Sequence, residues 1–324
     1  MLLGLLPLLV LLALAELGFR VFAPRAEMQP AEYVERDPDL IWRLKPTASG
    51  PYQTNELGLR DAPFRADADV KVLLLGDSVS WGDGIRDPRM CYPFLLERNL
   101  EQADPARRYE VINSGVPGYS TFQELGYLER HGLDLHPDLI VLQFCLNDVV
   151  ERYGTVAAFG GDAQFLGIDT RASIGGPYGW LLRHSRAFEA FGRFVQGLAR
   201  DREAYAVEKM ARDTLSPELE DAWALALLEL EKIRDLARQH HVPLLLVIVP
   251  YAFQLEDPRG LRQPQERLIR WANAAGVPWI DLLPAFGDEK RYPLFKDPSH
   301  FTVQGHAFAA YLLAPALHSI LAAK

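Results

Sequence analysis

Cysteine is scarce in this chain of 324 residues, which has only Cys91 and Cys145. Two cysteines make neither a disulfide framework nor a zinc site. Cys145 lies inside an apolar run and reads as a small hydrophobe; free thiols are expected, with a single bridge as the alternative. Basic excess is lacking too. Lys and Arg number 34 against 43 Asp and Glu, for a formal net charge of -9. That balance, with no basic stripe, excludes a nucleic-acid surface. There is no internal repeat and no low-complexity tract, so solenoids and disordered arrays are excluded. What is abundant is hydrophobic residues, at 49% of the chain. This is enough for a sizeable core in one large domain or two small ones.

The first segment, residues 1–23, stands apart. Met1 to Ala15 carries no charged side chain and is dominated by leucine, and Phe22-Ala-Pro24 closes the run. About 20 apolar residues suffice to span a bilayer. Two readings stay open. Ala13-Leu14-Ala15 has the form of a signal-peptide cleavage site, but no Lys or Arg precedes the run, which favours an uncleaved anchor. Arg20 and Arg25 follow it and by the positive-inside bias point the C-terminal side toward the cytoplasm, with Glu16 and Glu27 diluting the signal.

Residues 24–68 are rich in Pro, Asp, Glu and Arg and lack a long apolar period. They read as a tether and lead-in that ends in loosely ordered packing. Trp42-Arg-Leu-Lys-Pro46 and Asn55-Glu-Leu-Gly58 are expected as short strands or turns. From residue 69 to 324 the pattern alternates. Five apolar runs read as strands: Val70 to Leu75, Tyr109 to Asn113, Leu139 to Phe144, Pro243 to Val249 and Pro278 to Leu282. They are continuous rather than alternating, as strands covered on both faces are. Helical periods lie between and after them, at Gln123 to His131, Glu218 to His240, Pro264 to Ala275 and Val303 to Leu321. This order predicts an α/β fold with an open parallel sheet and helices on both sides. An insertion at 151–216 separates the third and fourth strands. Its 186–212 stretch looks helical, with Phe188, Phe191, Val195 and Leu198 on one face, either packing on the core or capping a pocket.

In open α/β sheets ligands bind outside the carboxyl ends of the strands. Three polar or glycine-rich breaks fall at those ends: Gly76-Asp77-Ser78, Asn113-Ser-Gly115-Val-Pro-Gly118 and Leu146-Asn147-Asp148. A serine hydroxyl needs a base, and the base needs a group that fixes its tautomer. Asp297-Pro-Ser-His300 supplies both near the C-terminus. His300 is the expected base for Ser78, and Asp297 its orienter. The backbone N–H groups of Ser78 and Gly115, with the side-chain amide of Asn147, are the expected oxyanion donors. His306 is a rival base, but Val303 stands where an acid would be needed. The elbow Gly-x-Ser-x-Gly is absent, since Ser80 follows Ser78 by two.

Together Gly76-Asp-Ser78, Gly115, Asn147-Asp148 and Asp297-x-x-His300 resemble the four blocks of the SGNH (GDSL-like) hydrolase family, over roughly residues 70 to 320. Cys145 stands where that family often has glycine, and Val79 where its short name has leucine. The resemblance implies a flavodoxin-like three-layer fold with a five-stranded parallel sheet, and ester hydrolysis through an acyl-serine intermediate. It implies Ser78, Asp297 and His300 as the triad and no metal or organic cofactor. The apolar segment and the Asn55-x-x-Gly58-x-Arg60-Asp61 lead-in look like those of bacterial membrane-tethered members, whose enzyme domain lies outside the cytoplasm. Such a chain would meet a membrane through its first segment and an acyl ester of a glycan or lipid in its site. Two alternatives share the motifs: an O-acyltransferase on cell-surface polysaccharide or lipid, and a non-catalytic glycan-binding protein. In the latter, Trp81 and Tyr119 would either stack on sugar or pack locally.

Overall fold

The computed structural model describes residues 2–22, 33–50, 53–149, 185, 187, 207–211, 214–257 and 259–322. Helix α1 (Leu2–Phe22) comes first, and a two-stranded antiparallel hairpin of β1 (Val34–Asp37) and β2 (Ile41–Leu44) follows. The main sheet begins with β3 (Val70–Leu75), which runs through Gly76-Asp77 into the single-turn α2 (Ser78–Trp81). Then come α3 (Tyr92–Ala103), β4 (Tyr109–Asn113), α4 (Thr121–Tyr127) and β5 (Leu139–Cys145). After the insertion lie α5 (Pro217–Gln239), β6 (Leu244–Val249), α6 (Gln263–Ala275), β7 (Trp279–Asp281), α7 (Leu283–Asp288) and α8 (Val303–Ala322).

The five strands stand in the order β4-β3-β5-β6-β7, and all pairs are parallel. Parallel neighbours need crossovers, and helices supply them on both faces. Every residue of β5 and β6 is buried, which is why these strands read as unbroken apolar runs. Helix α8 is long and apolar enough to cross a membrane by length and composition. In the fold its Ala309, Leu313 and Leu317 are buried in the core and the helix packs on α3, each such leucine contributing roughly 1.5–3 kcal/mol.

Helix boundaries differ from the sequence reading mainly at one place. The period over Gln123 to His131 is an α-helix only to Tyr127; a π-type turn, Leu128–Gly132, follows. Cys91 and Cys145 are both buried thiols, not joined in a disulfide. The insertion, including the apolar face of Phe188, Phe191, Val195 and Leu198, lies outside the described residues apart from a few positions. Two of these, Val207 and Met210, are buried in the core.

The lead-in is more ordered than its composition suggests. Leu40, Trp42, Leu44, Leu59 and Arg60 are buried. Asn55 organises its turn: its Oδ1 accepts the N–H groups of Leu57 and Leu59, both at 3.0 Å, and its Nδ2 donates to Ala62 O at 2.9 Å. Such Asx-type bonding leaves no periodic apolar signal.

Candidate active site

The carboxyl ends of β3, β4 and β5 adjoin in the sheet, so the three breaks meet on one rim. At the first, a Cβ on Gly76 would sit 2.6 Å from Ser80 Oγ and 2.9 Å from Gln143 Oε1. Glycine is required there by space. Asp77 caps α2, its Oδ1 accepting the Val79 N–H at 2.8 Å. Asp77, Val79, Ser80 and Trp81 are buried, whereas Ser78 is partly exposed.

His300 arrives on a clasped segment. Phe295 and Phe301 form an antiparallel bridge, and Lys296 N–H donates to His300 O at 3.0 Å. Pro298 O accepts the Ala252 N–H at 2.8 Å, tying the clasp to the chain beyond β6. Inside it, Asp297 Oδ1 accepts the N–H groups of Ser299 (3.1 Å) and His300 (2.8 Å). The imidazole Nδ1 lies 2.9 Å from both carboxylate oxygens of Asp297. Nε2 lies 2.8 Å from Ser78 Oγ. With Nδ1–H donating to Asp297, Nε2 is left as the acceptor for the hydroxyl. Burial works against ionisation of Asp297, yet the hydrogen bond and charge of His300, its backbone N–H and Lys296 hold the carboxyl well below the usual carboxylate range.

Asn147 is buried at the end of β5. Its Nδ2 donates to Asp77 Oδ2 at 3.2 Å. That bond uses one of two amide hydrogens and fixes the plane of the other. Asp77 is itself held by Gln143 Nε2 at 2.8 Å, and Gln143 Oε1 accepts from Tyr92 Oη at 3.1 Å. Sequence reading gave Asp77 and Gln143 no part in the site. The one available signal was a glutamine inside an otherwise apolar strand. Cys145, in place of glycine, is the last residue of β5, and its N–H donates to Asp148 Oδ2 at 2.9 Å.

Gly115, the expected oxyanion donor, has its N–H engaged within its own loop. Its N–H donates to Asn113 Oδ1 at 3.1 Å, and a Cβ on it would come within 2.1 Å of Ser80 Oγ and 2.9 Å of Asp77 O. It is a close-approach glycine packed behind the nucleophile turn. Just beyond it, Tyr119 N–H donates to Val116 O at 3.1 Å, and Gly118 has φ of 78°. Pro at the second and Gly at the third position make this a type II turn. Pro117 O accepts from Trp42 Nε1 at 3.2 Å. A trans peptide points its N–H opposite its C=O, so Gly118 N–H faces away from Trp42. Neither it nor Ser78 N–H donates to another described residue. The Pro117-Gly118 dipeptide was the legible signal.

His306, the rival base, is a packing residue. Its Nδ1 accepts the N–H of Tyr92 at the start of α3 at 3.2 Å, and its ring stacks on Tyr92. Burial, then the charges of Arg60, His300 and Lys296, push its pKa down to about 3. Trp81 and Tyr119 are buried, Trp81 stacked on Tyr33 and Tyr119 edge-on to Trp42. Among the described residues, ligand atoms of Asp83, Asp297 and His300 lie within 4.8 Å of one another. Lys296 Nζ, 3.0 Å from Asp297 and 3.5 Å from Asp83, already sets a positive charge between those carboxylates.

The sequence profile of the GDSL-like Lipase/Acylhydrolase family matches residues 74–308, well over half of the chain. The chain belongs to this family. Its five-stranded parallel sheet flanked by helices is the α/β fold of the GDSL-like acylhydrolases. Solved structures similar to it include an acetyl xylan esterase, at 16% identity over 76% of this chain and 99% of that one, with a TM-score of 0.45. TesA is 16% identical over 77% of this chain and 99% of that one, with a TM-score of 0.48. A lipase/acylhydrolase from Enterococcus faecalis is 16% identical over 77% and 96%, with a TM-score of 0.42. No curated protein sequence matches. Within the family block, residues 74–308 hold the Ser78 turn, both loops of the rim and the Asp297–His300 clasp, while the lead-in that contacts them lies outside it.

Proposed function

We propose that this acylhydrolase is a serine esterase or deacylase acting on carboxylic esters. Ser78 Oγ attacks the ester carbonyl carbon while its proton passes to His300 Nε2. The oxyanion accepts from the N–H groups of Ser78 and Gly118 and from Asn147 Nδ2, with Gly118 taking the place expected of Gly115. The bond to the leaving alcohol breaks as His300 returns the proton to its oxygen. Water then attacks the acyl-serine, with His300 again as base, and releases the acid. The supporting observation is the 2.8 Å approach of Ser78 Oγ to His300 Nε2, with Nδ1 held by Asp297.

The test is Ser78→Ala against a short-chain aryl ester and a fluorophosphonate probe. Turnover and labelling should both vanish while the melting temperature stays within a few degrees. Retained turnover in a clean preparation would remove Ser78 from this role. A chain-length series of esters then separates acetyl esters, which points to glycans, from long acyl esters, which points to lipids.

The same reading makes α1 an uncleaved anchor of the bacterial membrane-tethered type, with the catalytic domain outside the cytoplasm. Its support is the exposed apolar surface of Leu11, Leu14, Leu17 and Phe22 on a helix of 21 residues, long enough to span. Carbonate-resistant membrane association, lost on deleting residues 2–22, is the expected result. A full-length chain that washes off would overturn it.

A further inference from the structure

Arg60 comes from the lead-in, outside the block that carries the family's motifs, and its side chain is among the largest fully buried ones, 1% exposed. A buried guanidinium is costly unless its donors are satisfied. Here Nη1 donates to Trp81 O at 2.6 Å and Gly82 O at 2.9 Å. Nη2 donates to Ile85 O and, at 3.2 Å, to Arg86 O. The guanidinium also lies 4.6 Å from the centroid of the Trp81 ring. These four carbonyls bracket the loop that leaves the nucleophile helix α2.

Only Asp83 and Gly84 separate the two bracketed pairs, and both meet the histidine segment. Asp83 Oδ2 is 3.7 Å from His300 Nδ1 and 3.5 Å from Lys296 Nζ. Gly84 has φ of 74° and approaches Lys296 so closely that a Cβ would lie 2.6 Å from Nζ. One side chain thus fixes the end of the serine helix and the tip that packs on the serine's base. The same lead-in reaches the rim twice more. Asp61 Oδ2 accepts the N–H of Asn113 at 3.1 Å, and Trp42 holds Pro117 O from one side while Tyr119 Oη donates to Trp42 O at 2.8 Å.

We infer that the lead-in, through its described residues 33–50 and 53–62, is a positioning clamp for the catalytic loops, with Arg60 setting the Ser78–His300 alignment and Trp42 orienting the Pro117–Gly118 peptide. Arg60 is a positioning residue, since it acts through the 81–86 loop and touches neither Ser78 Oγ nor His300. A planar fork with five donors can span four carbonyls; an ammonium cannot. The clamp rests on the esterase reading above. It adds that the segment joining the apolar helix to the sheet is required for turnover.

The experiment measures kcat and KM on an aryl ester, the fluorophosphonate labelling rate and the melting temperature of the full chain. The variants are Arg60→Ala, Arg60→Lys and Trp42→Phe, with Ser78→Ala as control. Folded Arg60→Ala should lose about 100-fold in kcat with KM within threefold, a loss of the size expected when reacting groups are misplaced by about an ångström. Added guanidinium ion should restore at least tenfold of that loss, and Arg60→Lys should stay impaired. Trp42→Phe, a milder change, should lower kcat about fivefold without raising KM, and it carries the test if Arg60→Ala does not fold. A folded Arg60→Ala with kcat within twofold of wild type would overturn the clamp. So would guanidinium that restores the melting temperature but not kcat, or, where only Trp42→Phe folds, an unchanged kcat. An inactive, unlabelled wild type would sink the esterase reading and the clamp with it; an active wild type beside unaffected variants sinks the clamp alone.

Discussion

Asn147 Nδ2 donates to Asp77 Oδ2 across 3.2 Å, so a carboxylate at the end of β3 aims an amide at the end of β5. A carboxylate only accepts, and Asp77 receives from Val79 N–H, Gln143 Nε2 and Asn147 Nδ2 together. Asp77→Asn would put a donor among donors. It should lower kcat at least about tenfold, less than the roughly 10²–10³ expected of Asn147→Ala as an oxyanion donor, and destabilise the fold by about 1–3 kcal/mol for unsatisfied buried groups. Steady-state kinetics and chemical denaturation of the two variants check this. An Asp77→Asn enzyme with wild-type kcat would show that Asn147 does not need its carboxylate.

Gly115 and Gly118 part on substitution. Gly115→Ala drives a Cβ into Ser80 Oγ, the Trp81 N–H and Asp77 O, and overpacking of this kind costs about 1–3 kcal/mol. Both melting temperature and turnover should fall. Gly118→Ala meets a positive φ of 78° on a partly exposed turn, so its larger effect should be on kcat, with a stability loss on the order of 1 kcal/mol. If Gly118→Ala left kcat untouched, the turn would not be an oxyanion donor sensitive to its geometry.

His306 makes stability depend on pH. Its pKa is lowered from 6.5 to about 3 in the fold, so between these values the unfolded chain binds a proton that the folded chain refuses. The stability it contributes is full above about pH 6.5 and is lost as pH falls toward about 3. Glu97, pushed up to about 7 mainly by burial, acts in the opposite sense over part of that window. The difference between wild type and His306→Gln therefore isolates the histidine. Denaturation at pH 8, 6 and 5 should show the wild type losing stability faster than the variant, and parallel curves would refute the assignment.

Glu124 reverses the sign. Among the described residues, neither of its carboxylate oxygens has a hydrogen-bond partner. Burial first, then the charges of Asp77 and Glu229, raise its pKa well above the usual carboxyl value. Its contribution is fully present below the unfolded carboxyl's range and is lost as pH rises through the folded value. Glu124→Gln mimics the protonated form at every pH. It should equal the wild type near pH 4 and exceed it in melting temperature at pH 8. A lower melting temperature at pH 8 would mean that the carboxylate is the favoured form.

Much of this protein is written locally. Runs such as Leu139–Cys145 and Leu244–Val249 have side chains that tolerate only burial on both faces, so the parallel sheet follows from the sequence alone. The Asp297-x-x-His300 pairing is also local, because three residues of spacing let one carboxylate cap two backbone N–H groups and reach the ring. Distance in the chain hid the rest. Ser78 and His300 lie 222 residues apart, and tertiary packing sets their separation, with the clasp tied to the chain beyond β6 and the 81–86 loop packed against it. The sequence reading takes Gly115 as a donor and passes over Gly118 in the same break; the case for Gly118 rests on the steric room behind α2 and the sign of φ, which only the fold supplies. Arg60 and Trp42 looked like tether because hydrogen bonds to carbonyls carry no period in the sequence, and the fold alone brings those carbonyls within their reach.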